Sequence, residues 1–364
     1  MTDLPFIPVA EPDLSALEEQ YVLEAVRSGW VSSIGAFIDR FERNFAAFCG
    51  VDHCVALSNG TVALHVALLA KGIGPGDEVI VPDLTFVATA AAVIHAGATP
   101  VLVDVDARTF ALDVELTKAA VTERTRAVIP VHLYGQPAPI GALRSAVGPN
   151  VFVLEDAAEA HGATIDDRRV GALGDAAAFS FYGNKLLTTG EGGAITTNDA
   201  ELARRIRFLK DHAMSADRRY WHPEVGFNYR MTNLQAALGC AQLERYEGMA
   251  RRKTEILDQY RHELRDTGIQ LNAIREDGAS PVCWLVTALL PGRWTEQRQA
   301  ELSATLKRDH AVDVRPFFVP IHQMPPYRGL RHHKRETSVA DDLFVRGLCL
   351  PSSNKLTRAD ITRV

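Results

Sequence analysis

Cysteine is scarce in this chain of 364 residues: five, at positions 49, 54, 240, 283 and 349, scattered, odd in number and never in a CxxC pair. That argues against a disulfide framework or a zinc knuckle, and the thiols read as reduced and buried. Long apolar runs are also lacking. The most apolar stretch, 86–97, is too short to span a bilayer and contains His95. The amino-terminal Met-Thr-Asp-Leu-Pro-Phe-Ile-Pro has neither the basic start nor the apolar core of a signal peptide. Positive charge is in deficit, 39 Lys and Arg against 45 Asp and Glu for a net −6, which leaves little to hold nucleic acid or an anionic membrane. No GxxxxGK[ST] loop, internal repeat or low-complexity tract occurs. The expectation is a soluble, cytoplasmic protein with neither nucleic acid nor membrane as a partner.

What is present is ordinary for a globular fold: 47% hydrophobic and 23% charged residues, in a length that suggests roughly two domains of ~150 residues. Ser15-Ala-Leu-Glu18 is a capping box opening a helix that stops at Gly29. A second helix, from about Gly35, carries Phe37, Phe41, Phe45 and Phe48 on one face, a stripe that reads as core. From His53 the pattern changes. Residues 55–57, 79–81, 101–103, 127–131 and 151–154 read as buried strands, with helices predicted at 61–71, 85–96, 113–120 and 139–147. Strict alternation predicts right-handed βαβ units and a mostly parallel sheet, continued by 176–181 and 193–197. A long helix is predicted over 232–263. From about 265 a smaller unit follows, with a strand at 282–290, a helix around 295–309 and a proline-rich stretch at 316–326. The fold class is therefore α/β. A large, mostly parallel sheet domain covers 1–245, N-terminal helices included, and a smaller C-terminal α+β domain covers 246–364. Arg251-Arg-Lys253 and Arg331-His-His-Lys-Arg335 read as solvated charge, the second also as a candidate contact for an anionic substrate.

Three features fall at strand ends or strand-to-helix turns, where open α/β sheets place ligands. Ser58-Asn-Gly-Thr61 joins a buried strand to a helix start. Its glycine, free N–H groups and threonine hydroxyl are the parts of a phosphate seat, or of an ordinary helix cap. Glu155-Asp-Ala-Ala-Glu-Ala-His161 follows the strand at 151–154. An acid there needs a cationic partner against desolvation, and a pyridinium nitrogen would serve; a strand-end Asp capping a turn is the plainer reading. His161 has no second ligand at useful spacing, so no metal is expected. Phe179-Ser-Phe-Tyr-Gly-Asn-Lys185, followed by Thr188-Thr-Gly-Glu-Gly-Gly193, sets one lysine among glycines and hydroxyls, a setting for a neutral amine able to form a Schiff base.

Together these residues resemble the DegT/StrS-type sugar aminotransferases, a family of fold-type I pyridoxal-phosphate (PLP) enzymes. The likeness runs from Ile7-Pro-Val-Ala-Glu-Pro12 to Leu350-Pro-Ser-Ser353, through Ser58-Asn-Gly-Thr-Val-Ala-Leu64, the 155–162 and 180–193 segments, and Gly226-Phe-Asn-Tyr-Arg-Met-Thr-Asn-Leu-Gln-Ala237. By position, the resemblance makes Lys185 the Schiff-base lysine and proton shuttle, and pairs Asp156 with the pyridine nitrogen. It sets Glu159 by the phenolic oxygen and Phe86 on the ring face. Gly60, Thr61 and Ser180 would hold the phosphate, joined by Asn228 from the other subunit of a homodimer. The implied reaction moves an amino group from L-glutamate to the C4 ketone of a nucleotide-linked 4-keto-6-deoxy sugar. Ser28-Gly-Trp-Val-Ser-Ser33, Pro130-Val-His-Leu-Tyr-Gly135 and Arg219-Tyr-Trp-His-Pro223 resemble the members that make GDP-perosamine for surface glycans such as O-antigen lipopolysaccharide. Arg218, Arg219, His222, Arg315 and His322 are the candidate contacts for the nucleotide diphosphate.

Other readings use parts of the same sequence. A UDP-linked 4-keto sugar would need the same catalytic residues. A non-catalytic PLP-binding regulator could keep the fold but would not need Asp156, Glu159 and Lys185 together, and no basic DNA-binding face is evident. A nicotinamide-dependent dehydrogenase would suit the alternating half. It lacks GxGxxG after the first predicted strand, and the glycines at 72–76 end a helix where that motif opens one.

Overall fold

The apolar runs of the amino-terminal half pair into one eight-stranded sheet in the computed structural model, which describes residues 4–272 and 278–364. Residues 1–3, the start of the amino-terminal segment read above, lie outside it. Across the sheet the order is His53–Leu57, Gly193–Thr197, Ala176–Ser180, Phe152–Asp156, Thr125–Val128, Glu78–Pro82, Thr99–Val103 and His332–His333. The pairs from Ala176–Ser180 to His332–His333 are parallel, and the two pairs that involve Gly193–Thr197 are antiparallel. The central strands are buried on both faces, as a parallel sheet covered by helices requires.

The aromatic stripe is core, as its spacing predicts. Phe37, Phe41 and Phe45 of the helix Ala36–Cys49 are buried, while Phe48 is half-buried. Phe41 meets Phe181 edge to face at 5.2 Å and Phe45 meets Phe179 at 4.9 Å, so the stripe seats the strand that leads to Lys185. On the opposite face the helices Gly60–Ala70, Ala88–His95 and Ala200–Lys210 close a second core.

The carboxyl-terminal part builds a four-stranded antiparallel sheet from Gln270–Leu271, Val286–Leu289, Gly347–Leu350 and Arg315–Pro316, and Tyr246–Glu263 packs on it. Several pairings tie it to the rest, among them Ala279–Ser280 with Thr164–Ile165. Ile7 near the amino terminus pairs with Val312 and joins the core under this smaller sheet, and His332–His333 adds a strand to the edge of the large sheet. No described helix is long and apolar enough to cross a membrane.

Four sequence expectations change. The helix predicted over 232–263 is two, Asn233–Glu244 and Tyr246–Glu263, because the chain turns at Arg245, whose guanidinium is drawn to Glu18 at 2.7 Å and Asp13 at 3.0 Å. The helix predicted from 85 begins at Ala88, which leaves Phe86 on a loop. Lys253 is buried, not solvated: its ammonium donates to the carbonyls of Trp284, at 3.0 Å, and Ser352. Burial lowers its pKa to about 8. The basic cluster at 331–335 docks against acids, Arg331 on Glu78 and Arg335 on Asp113, each at 2.8 Å.

Candidate active site

The strand Phe152–Asp156 ends in two acids, and strand geometry sends them to opposite faces. Glu155 is fully satisfied. Its Oε1 accepts the N–H groups of Leu173 at 2.9 Å and Gly174 at 2.7 Å, and its Oε2 accepts that of Gly171 at 3.1 Å and lies 2.9 Å from His132 Nε2. His132 Nδ1 accepts the Ala138 N–H, so the ring proton sits on Nε2 and is donated to Glu155.

Asp156, equally buried, has less. Its Oδ2 accepts the Thr89 hydroxyl at 2.8 Å and its Oδ1 the Ala158 N–H at 3.2 Å. Burial pushes its carboxyl above the usual range, against the pull of those two donors and of the nearby Lys185 charge. Lys185 lies five residues beyond the end of the neighbouring strand Ala176–Ser180, its side chain only 11% exposed. Its Nζ is 3.3 Å from Glu159 Oε1 and 3.8 Å from the centre of the Trp284 ring. Trp284 is fixed in turn by donating to the Asn184 carbonyl at 2.8 Å. Glu159 is buried, which raises its pKa, and its Oε2 accepts the Tyr134 N–H at 2.8 Å. Tyr134 holds a left-handed backbone, φ 53°, and stacks on Phe318, which in turn meets Phe86 at 5.7 Å.

Asn59 caps the helix Gly60–Ala70 by accepting the Val62 N–H at 3.0 Å. Gly60 lies so close to Ser180 that a Cβ at position 60 would sit 2.8 Å from the Ser180 Cβ. The helix start at Gly60 thus approaches Ser180 too closely for any side chain at position 60. Of the predicted cofactor contacts, the structure brings Asp156, Glu159 and Lys185 to one side of the sheet's carboxyl end, and sets Gly60 against Ser180. Phe86 is 54% exposed on its loop. Asn228 is also exposed, beside the Tyr229 carbonyl that accepts the Ser58 N–H at 2.8 Å.

The candidate substrate contacts are dispersed. Arg218 and Arg219 ride the exposed loop after Ala200–Lys210, stacked over Trp221 at 4.5 Å and Tyr220 at 4.9 Å. His222 Nδ1–H donates to the His212 carbonyl at 2.8 Å. Arg315 is exposed on the edge of the small sheet. His322 turns its Nδ1 to Asp83 at 2.6 Å. A cleft of about 420 Å³ opens at the other end of the central strands, between Lys71, Asn150 and Asp175, and includes none of the predicted site residues. His161 is buried against Phe179 and Phe181, neither ring nitrogen finds a hydrogen-bond partner among the described residues, and burial lowers its pKa to about 3.

These residues fit pyridoxal phosphate. An under-satisfied buried carboxylate suits a protonated ring nitrogen, a nearly enclosed amine suits an aldehyde, and a helix start facing a small hydroxyl residue suits a phosphate. Comparison with known proteins agrees. The model of the DegT/DnrJ/EryC1/StrS aminotransferase family matches residues 12–364. The chain is 48% identical to GDP-perosamine synthase of Caulobacter vibrioides, over 100% of this chain and 98% of that protein. It is 42% identical to GDP-perosamine synthase of Escherichia coli O157:H7, over 98% and 96%. The crystal structure of DesV from S. venezuelae in complex with a ketimine intermediate superposes with a TM-score of 0.89 at 37% identity, over 99% of this chain and 96% of that one. With the fold, the buried acids and Lys185 in place, the chain belongs to the DegT/DnrJ/EryC1/StrS aminotransferase family, and its cofactor is pyridoxal phosphate.

Proposed function

We propose that this enzyme transfers an amino group from L-glutamate to the C4 ketone of GDP-4-keto-6-deoxy-D-mannose, giving GDP-perosamine. The observation that carries the reading is full-length identity of 48% and 42% to proteins named GDP-perosamine synthase, in a chain whose strand-end acid and loop lysine converge. The cofactor, when bound, supplies the electron sink for the carbon that loses its proton.

The protein's part is positioning and proton transfer. Lys185 would hold the cofactor covalently, and its amine is the group placed to move the proton in both half-reactions. Asp156 keeps the ring nitrogen protonated, held in place by Thr89 and the Ala158 N–H. Glu159 orients the Lys185 amine from 3.3 Å and would face the cofactor's phenolic oxygen. Phe86 would cover one face of the ring. Gly60, Thr61 and Ser180 hold the phosphate, and Asn228 of a second copy completes that seat in a homodimer. Arg218, Arg219, His222 and Arg315 meet the nucleotide diphosphate; His322 leaves that group because its ring is held by Asp83. The product serves a surface polysaccharide such as an O-antigen.

The test is a substrate panel. Enzyme, PLP and L-glutamate are incubated with GDP- and UDP-linked 4-keto-6-deoxy sugars, and products are identified by mass. Amination of the GDP-4-keto-6-deoxy-D-mannose arm at least about tenfold faster than any UDP arm, roughly 1.4 kcal/mol of discrimination, is the expected result. Equal or faster turnover of a UDP sugar contradicts the nucleotide assignment.

A further inference from the structure

Just past the strand Glu78–Pro82, three side chains from distant parts of the sequence converge on one point. Asp83 is fully buried. Its Oδ2 lies 2.6 Å from His322 Nδ1 and 3.3 Å from His332 Nε2. One donor atom from each of the three lies within 4.8 Å of the others. We infer that Asp83, His322 and His332 bind a divalent transition-metal cation of the zinc class, which fastens the loop carrying Phe86 to the carboxyl-terminal segment.

Four observations carry this. Two imidazoles and one carboxylate are a donor set suited to zinc and its neighbours and poorly suited to calcium or magnesium, which favour oxygen. The 3.3 Å separation of Asp83 Oδ2 and His332 Nε2 is close to that of two ligands each about 2.0 Å from a tetrahedral centre, roughly 3.3 Å apart. The 2.6 Å contact of Asp83 with His322 Nδ1 is a hydrogen bond, and it would have to open by about 0.7 Å for a cation to replace the shared proton. His332 Nε2 is buried and has no hydrogen-bond partner among the described residues, which leaves that nitrogen free to take a ligand. The donors are also braced from behind as metal ligands are. Asp83 Oδ1 accepts the His322 backbone N–H at 2.9 Å. On its far side His322 Nε2 faces Asp341 Oδ1 at 3.5 Å, and Asp341 is itself held by Gln323 Nε2 at 2.6 Å.

The location gives the site a consequence. Asp83 stands three residues before Phe86. His322 stands four residues after Phe318, whose ring meets that of Phe86 at 5.7 Å. His332 belongs to the two-residue strand on the sheet edge. A cation here closes three chain segments around the base of the Phe86 loop, and water takes its fourth position, since His322 remains a quarter exposed. The inference does not rest on the identity of the sugar substrate.

The test uses full-length, untagged enzyme carrying its PLP, dialysed against a chelator and titrated with cobalt(II) as the optical probe, with zinc(II) in competition. Expected is one equivalent per chain, with the absorption bands of four-coordinate cobalt and a rise in thermal midpoint with metal. In His332→Gln, cobalt affinity falls at least a hundredfold, and in Asp341→Asn roughly tenfold. His322→Gln serves as a second ligand variant should His332→Gln fold poorly. Absence of a saturable equivalent, or the same equivalent and spectrum in both ligand variants, overturns the site and leaves a plain hydrogen-bonded clamp.

Discussion

On one face of the strand Phe152–Asp156, Glu155 collects three backbone N–H groups and the His132 ring proton. On the other face Asp156 collects one hydroxyl and one N–H, and burial lifts its pKa above the ordinary carboxylate range. The two side chains have the same charge, the same depth and adjacent positions. They differ in how many donors the protein gives them. A carboxylate whose acceptors are filled by its own chain is part of the scaffold, whereas one left short is held for a partner the chain does not supply.

Exchanging each acid for its amide should separate the two roles. Asp156→Asn is expected to lower turnover about 10²–10⁴-fold, since a neutral amide cannot hold the ring proton. The same change should leave the cofactor-free enzyme at least as heat-stable at pH 7. The sign follows from the raised pKa: the folded state disfavours the charged carboxylate, so stability is greatest with the group protonated and is lost as pH rises through the folded value. A Tm well below wild type in the cofactor-free variant would contradict this.

Glu155→Gln should behave in reverse. One amide oxygen cannot serve four donors, and stability is expected to fall by about 3 kcal/mol, while turnover per folded molecule stays within a few-fold. Denaturant titration with an active-site count checks both. Near-wild-type stability would show that the donors around Glu155 find water and that the contrast between the faces is smaller than argued.

The third and smallest effect concerns His161, behind the same site. Burial holds it neutral with a pKa of about 3, so its stability contribution is complete above an unfolded value of about 6.5 and is lost as pH falls toward 3. Between pH 6.5 and 5 that loss is about 2 kcal/mol. His161→Leu should retain more of its neutral-pH stability over this interval, as measured by thermal melts at each pH. Parallel pH curves for the two proteins would mean that the ring is solvated.

Much of this was legible in the sequence because the signals are local. Asp156 is marked by ending an apolar run, Lys185 by standing alone among glycines and hydroxyls, and the phosphate seat by a glycine and threonine between strand and helix. What escaped is long-range. Thr89 reaches Asp156 from another βα unit, and Trp284 reaches Lys185 from the carboxyl-terminal part. Neither residue type in its own segment carries a sign of that role. Tyr134 lay in a segment that marked the family likeness, but its left-handed backbone and its N–H to Glu159 follow from packing. Lys253 reads as one of three surface cations until the small sheet buries it over two carbonyls. Asp83 and His322 stand 239 positions apart, beyond any spacing rule for metal ligands.

The amine that holds the cofactor is the central assignment. Holoenzyme reduced with borohydride, digested and mapped by mass spectrometry should carry the reduced pyridoxyl group on the peptide containing Lys185 and on no other. Label on a different lysine, or a bright holoenzyme that fixes none, would contradict the account.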